Sequence, residues 1–92
     1  MEITVHFTTQ LRAALGTGTQ IVCLPVDATV TTLIERLAAL HPQTFRELVL
    51  DARGQLLPNL IVCVNDRQVS RPQEFGLRPG NQVLLLSAIS GG

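Results

Sequence analysis

The chain has 92 residues, 46% of them hydrophobic, and seven acidic side chains balance seven basic ones for a formal net charge of zero. That length suits one domain with a single modest core and leaves no room for a second. The basic residues are all arginines scattered from Arg12 to Arg78, a pattern that builds no positive footprint and excludes nucleic acid and anionic membrane as direct partners.

Lysine is absent, so no side-chain amine is available as a Schiff-base nucleophile or as an isopeptide acceptor. Cys23 and Cys63 lie far apart within apolar runs, with no Cys-x-x-Cys and no His/Cys ligand spacing, which argues against zinc and against dithiol chemistry. Two reduced, packed thiols are expected. No secretory leader opens the sequence and no apolar run reaches membrane-spanning length, so a soluble cytoplasmic protein is expected.

Taken in chain order, residues 2–8 alternate strictly. Ile3, Val5 and Phe7 fall on one face and Glu2, Thr4 and His6 on the other, which predicts a half-buried strand with His6 solvated. Residues 9–19 contain Leu11, Leu15, Gly16 and Gly18 and read as a helical twist or a wide hairpin loop. Ile21–Leu24 predicts a second strand, closed by Pro25 and paired antiparallel with the first. From Thr29 the period changes: Val30, Leu33, Ile34, Leu37 and Leu40 make one helical stripe. Thr29 is placed to cap this helix, and Pro42 stops it by disfavouring helical geometry at His41.

Residues 43–59 read as an irregular segment, with a short helical turn at Phe45–Val49 and a turn at Asp51–Gly54, that covers an edge rather than founding the core. Leu60–Val64 predicts a third strand, and Asn65–Asp66 a turn into a short return strand at Gln68–Val69. Residues 70–77 read as loop. Arg78-Pro79-Gly80-Asn81 has the residue order of a type II turn and leads into a final strand at 82–87. With only two histidines, one on a strand face and one at a helix end, the sequence assembles neither a metal triad nor a Ser-His-Asp arrangement.

One amphipathic helix must bury its stripe against a sheet. The expected fold class is therefore α+β, a β-grasp with a mixed sheet of four to five strands and one main helix on one face, the first and last strands being central neighbours. Residues 1–86 form this domain and 87–92 a flexible tail. Six extended residues reach about 20 Å, enough to enter another protein's active site, and terminal glycines pass a narrow channel without a Cβ. If Val83 and Leu85 face the helix, Leu84 and Leu86 face the other way as a docking patch, unless residues 43–59 fold over them.

The helix following a hairpin, the Val64-Asn65 turn, the Leu77-x-Pro79-Gly80 segment leading into Val83, and the terminal Ser90-Gly91-Gly92 together resemble the ubiquitin-like sulfur carriers, the MoaD and ThiS group. The resemblance covers essentially the whole chain. It implies that Gly92, preceded by Gly91, is adenylated at its carboxylate by an ATP-dependent activating enzyme of the MoeB/ThiF type. A sulfur donor such as a rhodanese or cysteine desulfurase then leaves a thiocarboxylate for an acceptor synthase. The candidate partner-binding residues are Leu84, Leu86 and Ile89. The implied role is that of a carrier and co-substrate rather than an enzyme, with no bound cofactor and with ATP used by the activating enzyme. Departures leave the acceptor open among molybdopterin, thiamine, cysteine and thiolated tRNA synthesis. A ubiquitin-like modifier joined through its terminal glycine and a non-reactive β-grasp interaction module are the alternative classes.

Overall fold

The structure is a computed structural model that describes residues 1–87. Strand β1 (Glu2–Phe7) is followed by helix α1 (Thr9–Leu15), strand β2 (Thr19–Cys23), helices α2 (Val30–Leu40) and α3 (Pro42–Leu48), strands β3 (Leu60–Val64) and β4 (Arg67–Gln68), a 3₁₀ turn at Pro72–Glu74, and strand β5 (Gln82–Ser87). The five strands form one mixed sheet in the order β2-β1-β5-β3-β4. The first and last strands are central and parallel, with Val5 opposite Val83 and Phe7 opposite Leu85, while β1–β2 and β3–β5 are antiparallel.

Alternation decides which side of each strand is buried. Ile3, Val5, Val83 and Leu85 are fully buried and Phe7 nearly so, and they meet Val30, Leu33, Ile34 and Leu37 of α2 in one contiguous core. α2 begins where its sequence says it should. Thr29 Oγ1 accepts from the Thr32 amide at 3.4 Å while Thr32 Oγ1 accepts from the Thr29 amide at 3.2 Å, a reciprocal capping box of the kind that stabilises a helix start by about 1 kcal/mol. The helix ends at His41, directly before Pro42. Leu40, the last member of the predicted stripe, is 52% exposed, because the chain turns away into α3 before that final turn can reach the sheet.

Residues 9–15 form a true helix, closed by Gly16 at φ 75°. The larger departure is in the middle segment. Phe45 and Val49 are completely buried, so residues 43–59 help found the core rather than cover an edge. Pro42 supplies a preset φ for the first turn of α3, and the segment then closes a tight loop. There the Asp51 carboxylate accepts from the Arg53 and Gln55 amides at 2.8 and 3.0 Å, and Leu50 bridges Leu56. An open cleft of about 710 Å³ remains beside this loop, walled by Ile34, Ala38, Leu56, Leu60 and Val69. The return strand is Arg67–Gln68, one residue earlier than expected. Asn65 and Asp66 both take positive φ, 47° and 71°, as a two-residue hairpin turn of the primed type requires.

The edge strand β2 is protected against further pairing. The Thr17 hydroxyl bonds both the amide and the carbonyl of Thr19, and Arg36 caps the Cys23 carbonyl at 3.1 Å. Side chains thus occupy backbone groups that would otherwise recruit another strand. Neither cysteine is packed as expected. Both are free, Cys23 exposed and Cys63 half-buried, because their alternation turns them to the face without helices.

Candidate functional site

The site is built around β5, the central strand of the sheet. Its entry is fixed by the Arg78–Asn81 turn. The Asn81 amide donates to the Arg78 carbonyl at 3.1 Å, and Gly80 sits at φ 83°, which makes a type II turn. The Gly80 amide in turn donates to Glu2 O and the Thr4 amide to Asn81 O, both at 3.2 Å. The turn is therefore hooked onto β1, and the β1–β5 register follows from it.

No neighbour within 4 Å would meet a Cβ at Gly80, so a side chain there is opposed by backbone strain alone. Gly80→Val is expected to cost about 2 kcal/mol and to lower the unfolding midpoint by roughly 8–16 °C. An unchanged midpoint in a calorimetric scan would show that the positive φ does not hold this register.

With Val83 and Leu85 buried, Leu84 and Leu86 lie on the helix-free face and are half-buried there. Cross-strand pairing surrounds them. Leu84 stands between His6 and Cys63, and Leu86 is opposite Ile61. Gln82, one step along, is opposite Thr4, and its Oε1 lies 2.6 Å from His6 Nε2. Residues 43–59 pack with α1 and α2 on the other side, through Phe45 and Val49, so they do not cover this face.

The result is an apolar surface formed by Ile61, Cys63, Leu84 and Leu86, edged by His6, Thr4 and Gln82 and, at the Cys63 end, by Asn65 and the Asp66 carboxylate. An apolar centre with a polar rim is suited to contact through desolvation and shape. Leu84 and Leu86 were legible from alternation alone. Ile61 and Cys63 were not, because all five residues of β3 are apolar and their parity carries no polar contrast.

Ile89, Gly91 and Gly92 lie outside the described residues, as does the rest of the expected tail beyond Ser87. Ser87 itself is the last residue of β5 and is buried. Elsewhere, His41 Nε2 lies 2.8 Å from Gln20 Oε1 and its ring stacks on Phe45, a packing role at the junction of α2 and α3. Among the described residues no group of three His, Cys, Asp or Glu side chains could hold a metal ion, and no helix is long and apolar enough to cross a membrane.

A mixed five-stranded sheet with parallel central β1 and β5, crossed on one face by α2, defines a ubiquitin-like β-grasp protein. The model of the ThiS family matches residues 5–92, and the chain belongs to that family of ubiquitin-like sulfur carriers.

Solved structures agree. SAMP1 from Haloferax volcanii superposes with a TM-score of 0.89 at 22% identity, covering all of both chains. A putative molybdopterin converting factor subunit 1 from Pyrococcus furiosus gives 0.77 at 24% identity, over 97% of this chain and 99% of that one. The Amycolatopsis orientalis BexX/CysO complex contributes a chain at 0.71 and 28% identity, over 98% and 99%. A comparison with curated proteins gives no match.

Proposed function

We propose that this chain is a sulfur carrier whose Gly92 carboxylate is adenylated by an ATP-dependent activating enzyme and then converted to a thiocarboxylate for delivery to an acceptor synthase. The observation that supports this most is the placement of the strand that precedes the terminal residues. Five residues ending in Gly91-Gly92 follow Ser87, the buried last residue of the central strand, which also carries Leu84 and Leu86 on the helix-free face. Such a surface would hold the carrier while the arm extends into another protein's active site.

The chemistry is consistent with a co-substrate. An α-carboxylate is anionic at neutral pH and a poor electrophile. In the activating enzyme one of its oxygens attacks the α-phosphorus of ATP, the bond to pyrophosphate breaks, and the acyl carbon acquires AMP as its leaving group. The terminal sulfur of a persulfide on a rhodanese or cysteine desulfurase attacks that carbon and the bond to AMP breaks, which leaves an acyl disulfide. A second thiol then attacks the donor's sulfur, the S–S bond breaks, and the thiocarboxylate is released as the thiol and the donor become a disulfide. Side chains of the carrier enter this sequence by docking and by presenting the arm, and the catalytic groups belong to the activating enzyme. The acceptor is one of the molybdopterin, thiamine, cysteine or tRNA-thiolation systems, and the reaction takes place in the cytoplasm.

The deciding measurement is intact-protein mass spectrometry after incubation with ATP, a ThiF-type activating enzyme and a sulfide source. Replacement of one terminal oxygen by sulfur is expected. A covalent adduct on a lysine of another protein, without the sulfur-containing species, would select the ubiquitin-like modifier instead. Absence of ATP-dependent pyrophosphate release would leave a non-reactive interaction module.

A further inference from the structure

We infer that the cleft between α2 and the outer edge of β3 is a docking site for an extended, apolar peptide segment of a second protein, which adds to the sheet antiparallel to β3 and sets a basic side chain against Glu35. The inference goes beyond the sulfur-carrier reading and does not rest on it.

β4 stops before β3 is fully paired. Its register pairs are Val64–Arg67 and Cys63–Gln68, and past them the Val69 amide donates to the Val62 carbonyl at 2.8 Å. The chain then leaves for the 3₁₀ turn at Pro72–Glu74, because a proline has no amide to give a ladder. β3, however, already begins at Leu60.

In an antiparallel pair successive residues turn their backbone groups to opposite sides. The Asn65 amide donates to Gln82 O at 2.9 Å, so the odd-numbered residues of β3 face β5, while Leu60, Val62 and Val64 face outward. Val64 is paired with Arg67, and the Leu60 amide donates to Leu57 O at 3.0 Å. The Val62 amide and the Leu60 carbonyl are left on the outer edge with no backbone partner among the described residues. One donor and one acceptor two residues apart are what a strand offers to an added strand.

These groups open onto the cleft. Leu60 and Val62 line it across from Ile34 and Ala38 of α2, and the Val62 side chain is buried on the helix side of the sheet. Residues placed opposite Leu60 and Val62 on an added strand share that side, so alternate side chains of the segment enter the cleft. Backbone bonds would fix the register and apolar burial would supply the affinity.

Charge narrows the occupant further. Glu35 is the one charged side chain lining the cleft, and it makes no ion pair, the pair among the described residues being Arg71–Glu74. A partner segment with an arginine or lysine at that end is complementary to it. A second copy of this chain fits less well: its β2 edge is already occupied by Thr17 and Arg36, and pairing two copies through β3 adds a carboxylate rather than a cation. The cleft lies on the helix side and Leu84 and Leu86 on the other, so one partner does not displace the other.

The probe is a short blocked peptide of alternating valine and threonine ending in arginine, titrated into the full chain beside a twin ending in glutamate. Saturable binding of the arginine peptide is expected, with slowed amide exchange at Val62. N-methylation of its valine amides should weaken binding about tenfold, the effect of a lost backbone bond, and N-methylation of its threonine amides should not. Glu35→Gln should weaken it about threefold, as loss of an exposed ion pair does, and Glu35→Arg should make the glutamate twin the tighter ligand. Ala38→Trp, which fills the cleft, should abolish binding, and the exposed Glu35 variants carry the test if that chain does not fold. Absence of saturable binding, indifference to which amides are methylated, or an unchanged preference in Glu35→Arg would overturn the assignment. Dimerisation of the wild-type chain without peptide, lost in Ala38→Trp, would overturn it in favour of a second copy.

Discussion

Deleting Gly92, or fusing a tag after it, is expected to abolish adenylation while leaving the thermal midpoint nearly unchanged. The two effects separate because the reacting carboxylate and the core share no atoms. Among the described residues, the buried cluster of Ile3, Val5, Phe45, Val83 and Leu85 lies before the end of β5 at Ser87. Terminal residues beyond the last secured strand contribute little to stability. Gly91→Val should fail as well, for a different reason: on the proposed carrier reading, a β-branched side chain next to the terminal carboxylate would widen the chain where it enters the activating enzyme's channel. Pyrophosphate exchange and intact mass measured on all three variants check this. If a chain lacking both glycines still restored growth to cells deprived of the native protein, the carboxylate would have no role.

The second large effect is expected from Leu86→Glu. Leu86 stands opposite Ile61 on the helix-free face, and a glutamate there keeps its charge in water in the free protein, so the fold tolerates it. In a complex the same carboxylate would be taken out of water against an apolar surface whose cross-strand neighbour is Ile61. Truncation of a central apolar anchor alone costs about 2 kcal/mol or more, and the unpaired charge adds to that. Affinity for the activating enzyme should therefore fall about thirtyfold or further. Titration calorimetry on the variant, with its circular dichroism spectrum as the control for folding, gives the answer. Equal affinities would place the docking surface elsewhere, and the cleft beside the Leu50–Leu56 loop would become the next surface to test.

Several features of this protein were present in the sequence because each rests on a local rule. Strict alternation in residues 2–7 fixed which side of β1 is buried. The 3.6-residue stripe from Val30 to Leu37, with Thr29 before it and Pro42 after it, defined α2. The Pro79-Gly80 order set a type II turn, and the same alternation separated Leu84 and Leu86 from Val83 and Leu85. That the sequence closes on Gly91-Gly92 is read directly from its covalent order.

What the sequence did not determine is what depends on contacts between remote segments. Phe45 and Val49 look like an isolated apolar turn, and only the meeting of α3 with α1 and α2 makes them core. Cys23 and Cys63 sit in apolar runs, yet the pairing register turns them away from the helices. Ile61 becomes part of a surface because it lies opposite Leu86, and Thr8 and Asn59 meet β5 across 77 and 28 residues of sequence. Local periodicity reports which face of an element is apolar. Which face another element covers, and where a strand runs out of partners, is settled when residues far apart in the chain are brought together, and no pattern within a single segment encodes that.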